Sequence, residues 1–341
     1  MSETVETYFP QIADIYQAAK TIAQVAEVTP MQQSIRYSKT HGANILLKRE
    51  DLHRVRSYKI RGAYNKISSL SQNQLDNGVV CASAGNHAQG VAFACSHLQV
   101  KGTIYMPVVT PKQKIDQTTM FGGEWVDVVL EGDTFDDSKK AAELFCEQEG
   151  KTFVHPFDDE KTIEGQATVG LEILQQTSEP IDYVFVAVGG GGLASGLCGT
   201  FQALSPNTRI IGVEPEGAPS MLKSIEEGSL VELENIDKFI DGAAVQKVGD
   251  LTFSICKDNL SDMVVVPEGK VCQTILDLYN RDAIVVEPAG ALTIATLDSY
   301  AEEIKGKNVV CILSGSNNDI TRTAEIKERA LLFAKLKHYF I

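Results

Sequence analysis

The chain has 341 residues, 43% of them hydrophobic, and 31 Lys and Arg against 45 Asp and Glu give a formal net charge of −14. That length exceeds what one core usually carries and predicts two domains. The negative balance argues against an extended nucleic-acid or anionic-membrane surface, since both need a positive field.

In chain order, apolar segments bounded by turn residues read as strands at 44–50, 78–83, 101–107, 125–131, 151–157, 183–189, 208–214, 262–268 and 308–314. Helical patterns lie between them at 86–98, 134–150, 165–176 and 287–304. Several strands are apolar almost throughout, as sheets covered on both faces require. The alternation predicts an open α/β fold with mostly parallel sheets and crossover helices. No repeat or low-complexity linker marks a boundary. A small domain is expected at 56–158, a large one from 1–55 with 159–325, and a tail at 326–341.

The seven cysteines are scattered, with no CxxC pair, and read as free thiols in a reducing compartment. The N-terminus is acidic and lacks the apolar core of a signal peptide. No run approaches ~18 apolar residues. A cytoplasmic protein with no membrane span is the expectation.

Four stretches carry chemistry. RSYKIRGAYNK (56–66) sets Lys59 beside Tyr58, between two arginines. GGGGLASG (189–196) follows a strand and opens a helix, so that free backbone N–H groups and a helix N-terminus form an anion site fit for a phosphate. Gly189, Gly191 and Ala194 also fit a dinucleotide fingerprint, with Glu214 at the next strand end, though a four-glycine run meets many such spacings by accident. CASAGNHAQG (81–90) ends a strand with the small residues Ser83, Ala84 and Gly85, then Asn86, and a helix that begins near His87. An amino-acid carboxylate fits there without an arginine. His87 reads equally as a helix-start hydrogen-bonding residue or as a base. CILSGSNND (311–319) ends a strand at Ser314, placed to meet a ring nitrogen. A lysine, a carboxylate nest, a phosphate loop and a terminal serine are together what pyridoxal phosphate chemistry needs, with Lys59 carrying the cofactor as a Schiff base.

At these residues the sequence resembles the fold-type II (tryptophan synthase β-like) pyridoxal phosphate enzymes, and among them the biosynthetic threonine dehydratase family. SYKIRGA (57–63), ASAGNHAQG (82–90), GGGGL (189–193), EPAGA (287–291) and LSGSNND (313–319) resemble its motifs in their expected order. The resemblance spans roughly residues 20 to 325 and implies two α/β domains with the cofactor between them. Lys59 is then the Schiff-base lysine and the base for Cα–H, and Tyr58, where the family usually has Phe, flanks the cofactor. Asn86 bonds its 3′-oxygen, Gly189, Gly190, Gly191, Gly192 and Leu193 hold its phosphate, and Ser314 meets its ring nitrogen. Ser83, Ala84, Gly85 and His87 surround the substrate carboxylate. The implied reaction converts L-threonine to 2-oxobutanoate and ammonia, and L-serine to pyruvate, as the first step of isoleucine biosynthesis.

Serine racemases share this pattern but carry serine where this chain has Ala84, which disfavours racemisation. The stretch EPEGAPSM (214–221) lacks their second acidic metal ligand, leaving Glu214 as a candidate for a monovalent cation. The resemblance further implies a homo-oligomer, dimer or tetramer. It also implies a C-terminal regulatory domain, which RALLFAKLKHYFI (329–341) only begins. Activity insensitive to isoleucine and hyperbolic in threonine is the corresponding expectation, with Tyr339, Phe340 and Ile341 left without their sheet.

Overall fold

The computed structural model describes residues 8–336; the expectation for Tyr339, Phe340 and Ile341 lies outside the described residues. Ten strands run in chain order: β1 (Met31–Gln33), β2 (Asn44–Lys48), β3 (Val79–Ala82), β4 (Gly102–Met106), β5 (Val126–Leu130), β6 (Thr152–Phe153), β7 (Tyr183–Ala187), β8 (Arg209–Pro215), β9 (Asp262–Val266) and β10 (Asn308–Ile312). They form a six-stranded sheet, order β1-β2-β10-β7-β8-β9, and a four-stranded sheet, order β5-β4-β3-β6. Every pairing is parallel except the edge pair of β1 on β2, where Met31 faces Lys48.

Each expected strand is present. The edge strand β1 was not anticipated, because Met-Gln-Gln shows no apolar alternation. The strand expected over 151–157 keeps only Thr152–Phe153: Val154 N still donates to Val80 O at 2.8 Å, but Pro156 has no N–H to continue the ladder. The long helix expected at 287–304 stops at Ala295 and continues as a 3-10 turn over Leu297–Tyr300. Thr296 and Ser299 turn their hydroxyls back onto the carbonyls of Leu292 and Thr296, at 3.0 and 2.7 Å, the local competition that weakens helices at such residues.

Burial follows the two sheets. One core covers each face of the large sheet, around Phe185 and Ile211 on one side and Val184 and Ile312 on the other. A third lies under the small sheet around Val79, Ile104 and Val91. The helix Lys59–Ser68 packs against both Asn86–Leu98 and Glu160–Gln175, so the opening stretch of the site is clamped between helices that flank different sheets.

A buried ionic network fixes that helix. Arg61 Nε and Nη2 donate to the two oxygens of Glu50 at 2.8 and 2.9 Å, and Nη1 donates to Glu172 at 2.7 Å. Lys48 Nζ donates to Glu172 at 2.5 Å and to Thr29 O at 2.7 Å, and His53 Nε2 donates to Glu50 at 2.9 Å. Lys48, Glu50 and Arg61 are 0% exposed. Two cations against two carboxylates, each multiply bonded, are the condition under which buried charge is tolerated. Arginine holds Glu50 well below the usual carboxylate range despite burial.

Candidate active site

Lys59 opens its helix at the point where the two sheets meet. Its Nζ donates to Pro156 O at 2.8 Å and lies 5.4 Å from the centre of the Tyr58 ring. Burial pushes the amine down to about 8, against the opposing pull of Glu287, so a useful fraction is neutral near pH 7. Behind it, Gly90 of the next helix admits the main chain of Lys59: a Cβ there would lie 3.1 Å from Lys59 C and O. A larger residue would press on that backbone and push the two helices apart by a few tenths of an ångström.

The other stretches gather around this amine. Tyr58 N donates to Ser314 O at 3.2 Å, and Ser57 bridges Gly315, which ties the end of β10 to the start of the lysine helix. Asn86 Nδ2 donates to Glu287 at 2.7 Å, and Asn86 Oδ1 accepts from Asn317 at 2.7 Å. Ser83 Oγ accepts from Gly85 N at 3.2 Å, and a Cβ on Gly85 would meet nothing within 4 Å. The start of helix Asn86–Leu98 therefore faces open space, framed by Ser83, Ala84 and Gly85. His87 points the other way, its Nε2 donating to Val154 O at 2.9 Å. Its Nδ1 then carries no proton and is buried without a partner. Burial and the nearby lysine push this imidazole down to about 3, so it is neutral at physiological pH.

Phe157 follows the carbonyl that Lys59 contacts and lies over the glycine run. A Cβ on Gly190 would lie 2.2 to 2.4 Å from three atoms of the Phe157 ring. Gly191 has φ of +92° and caps helix Gly192–Leu204, a conformation that favours glycine. Thr252 Oγ1 donates to Gly190 O at 2.6 Å, and Asp158 accepts from Asp250 N and Thr252 N at 3.0 and 3.1 Å, which braces the loop from the neighbouring helix. Leu193 is buried in the core beneath it. His155 Nδ1 accepts from Asp158 N at 2.8 Å, and burial pushes this ring down to about 4.

Glu214 does not join the group. Its oxygens accept Met221 N and Leu222 N at 2.8 and 2.9 Å, capping helix Ser220–Glu227 behind the glycine loop, and burial pushes the carboxyl up to about 8. No cluster of three or more metal-ligating side chains occurs among the described residues, and none of their helices is long and apolar enough to cross a membrane.

Sequence reasoning missed several neighbours. Glu287 sits inside a quoted motif but was assigned nothing; it is buried, and burial with nearby Asp241 pushes it up to about 7. Asn317, Pro156, Phe157 and Thr252 were also passed over. An acidic residue directly before a Pro-started helix, and the stretch HPFDD after a strand, were the available signals.

The comparisons agree with this geometry. The family described as "Pyridoxal-phosphate dependent enzyme" matches residues 22–315. The biosynthetic L-threonine dehydratase of Halalkalibacterium halodurans is 55% identical over 331 residues, 97% of this chain and 80% of that protein. Its Bacillus subtilis counterpart is 52% identical over 97% of this chain and 78% of that protein. Among solved structures, the processed form of threonine deaminase isoform 2 from Solanum lycopersicum superposes with a TM-score of 0.87 at 42% identity, covering 95% of this chain and 96% of that one. Maize serine racemase superposes at 0.88 with 29% identity, covering 96% of this chain and 100% of that one. The fold is that of the fold-type II enzymes, and the chain belongs to the pyridoxal-phosphate dependent enzyme family, in its biosynthetic L-threonine dehydratase branch.

Proposed function

We infer that this chain is a threonine ammonia-lyase that converts L-threonine to 2-oxobutanoate and ammonia in isoleucine biosynthesis, and also deaminates L-serine to pyruvate. The observation that carries the site assignment is the partly buried Lys59 amine, depressed to about 8, beside a glycine loop that opens a helix. These residues fit pyridoxal phosphate: an amine neutral enough to condense with an aldehyde, and backbone N–H groups free of Cβ obstruction for a phosphate. When bound, the cofactor supplies the electron sink that makes a substrate α-proton acidic.

The chain's own residues do the rest. Lys59 holds the cofactor between turnovers and, once freed, takes the α-proton; its low pKa matches that task near neutrality. Gly189 to Gly192 with Leu193 would hold the phosphate, Asn86 would bond the 3′-oxygen, and Ser314 would meet the ring nitrogen. Ser314 is uncharged, so it would not hold a protonated ring nitrogen as a carboxylate does. The substrate carboxylate lies against Ser83, Ala84, Gly85 and the first N–H groups of helix Asn86–Leu98, where the helix dipole favours an anion. His87 contributes its backbone there: its ring is bonded away to Val154 and too acidic to serve as a base at pH 7. Ala84 offers no acid on the opposite face, which works against racemisation.

Residues 56–158 form the small domain in this reading, and 1–55 with 159–325 the large one; the four-stranded sheet lies wholly within the first range. The enzyme is assigned to the cytoplasm as a homo-oligomer, dimer or tetramer. The test is the release of oxoacid and ammonia from threonine and from serine by purified protein. One methyl group is worth about 1–3 kcal/mol of discrimination, so kcat/KM for threonine should exceed that for serine by roughly 10- to 200-fold. A preference for serine refutes the substrate assignment.

A further inference from the structure

The side chains around Asn86 form a hydrogen-bond path with an acceptor at each end. It starts at Val55 O, a main-chain carbonyl that only accepts. Asn317 Nδ2 donates to Val55 O at 3.0 Å and to Asn86 Oδ1 at 2.7 Å. Asn86 Nδ2 then donates to Glu287 Oε1 at 2.7 Å, and Glu287 Oε2 accepts Asn317 N at 3.2 Å, which orients the carboxylate. A carbonyl at one end and a carboxylate at the other polarise the whole path. Turning the Asn86 amide over would press its oxygen against Glu287 and its NH2 against that of Asn317. Turning Asn317 over would set its oxygen against Val55 O. A second observation marks the constraint: Asn317 Oδ1 is buried and has no partner. Both Asn317 amide hydrogens go to the two acceptors, and its own oxygen is left unsatisfied, a cost the fold bears to keep this orientation.

We propose that Glu287 and Asn317 are positioning residues that lock the Asn86 amide in one orientation, so that Asn86 serves the cofactor's 3′-oxygen as an N–H donor. The proposal rests on the assignment of pyridoxal phosphate to this site and deepens it. Neither residue needs to touch the cofactor; each acts through Asn86. Glu287 also favours the protonated form of Lys59, so its effect through Asn86 has to be separated from its effect on the lysine.

The experiment is a double-mutant cycle on cofactor binding and cofactor spectrum. Apoprotein of the parent, Asn86→Ala, Glu287→Gln, Asn317→Ala and the two double variants with Asn86→Ala is titrated with pyridoxal phosphate. The dissociation constant and the ratio of the bands near ~415 and ~330 nm, which report the protonation of the 3′-oxygen, are recorded. Glu287→Gln and Asn317→Ala should each weaken binding about tenfold or more, the scale of one lost charged or buried hydrogen bond, and shift the band ratio. In the Asn86→Ala background the Asn317→Ala effect should vanish and the Glu287→Gln effect should shrink to its direct part on Lys59, since the path through the amide is gone. A general loss of stability would leave the band ratio unchanged and the effects additive. Lys307→Gln, which breaks a pair with Asp182 at the opposite end of β10 from Ser314, serves as the control and should leave both readouts at parental values. If one single variant does not fold, the other completes the test. Parental binding and spectrum in either variant, or additive effects in the doubles, overturn the proposal. A parent that binds no cofactor refutes the underlying assignment instead, which keeps the two failures apart.

Discussion

At pH 7 a lysine titrating near 8 is neutral in about 9% of molecules, whereas an ordinary lysine near ~10.5 is neutral in about 0.03%. Lys59, pushed down to about 8 by burial, should therefore present about 300 times as much neutral amine at pH 7 as an unperturbed lysine. Competitive trace acylation of the apoprotein between pH 6 and 11, read by mass spectrometry of the Lys59 peptide against an added lysine amide, measures this directly. Lys59 reactivity should reach half its plateau near pH 8 and the reference near ~10.4. Glu287 is the opposing influence, because its charge favours the ammonium form. Glu287→Gln should therefore move the Lys59 midpoint still lower. The sign for stability follows: a lysine depressed on folding disfavours the folded state at low pH, and that penalty is relieved as pH rises from 8 towards ~10.5. A midpoint near that of the reference, or a rise in Glu287→Gln, refutes the argument that desolvation activates this amine.

Arg61→Met leaves Glu50 and Glu172 with only Lys48 and His53 as basic partners in a region closed to water, so urea unfolding should show a loss of about 3–5 kcal/mol. A loss under about 1 kcal/mol would mean that the network relaxes or takes up water. Gly190→Ala drives a methyl to within 2.2 to 2.4 Å of the Phe157 ring; cofactor affinity should drop at least tenfold and return in part when Phe157→Ala is added, as measured by apoprotein titration. Failure of the second change to restore binding would show that the loop backbone, not the ring, sets the limit.

The strand pattern was legible because a parallel sheet covered on both faces needs near-continuous apolar strands, and YVFVA and NVVCI announce themselves in that way. The edge strand β1 was not, since its three residues are held by pairing to Lys48, Leu47 and Leu46 and not by an apolar face. Lys59, the glycine run, Ser83 to His87 and Ser314 could be singled out because each falls at a strand end or helix start, where free N–H groups and small residues have a chemical meaning. What joins them could not be read. Glu287 meets Asn86 across 201 residues of chain, and Lys59 meets Pro156 across 97; such pairs follow from the tertiary fold and not from local sequence. The direction of the His87 ring was likewise invisible, because it depends on a carbonyl in a different strand region, that of Val154. The Glu50–Arg61–Glu172 network was hidden for the opposite reason. KRED and KIRG read as ordinary surface charge until the fold buries them together.

The most direct test of the account is borohydride reduction of the purified, cofactor-loaded protein, followed by peptide mass spectrometry. Absorbance near ~415 nm should disappear on reduction, with one pyridoxyl group per chain fixed to Lys59. The Lys59→Ala variant should show no such label and no release of 2-oxobutanoate from threonine. A label on any other lysine, or oxoacid release that survives Lys59→Ala at the parental rate, would contradict the account.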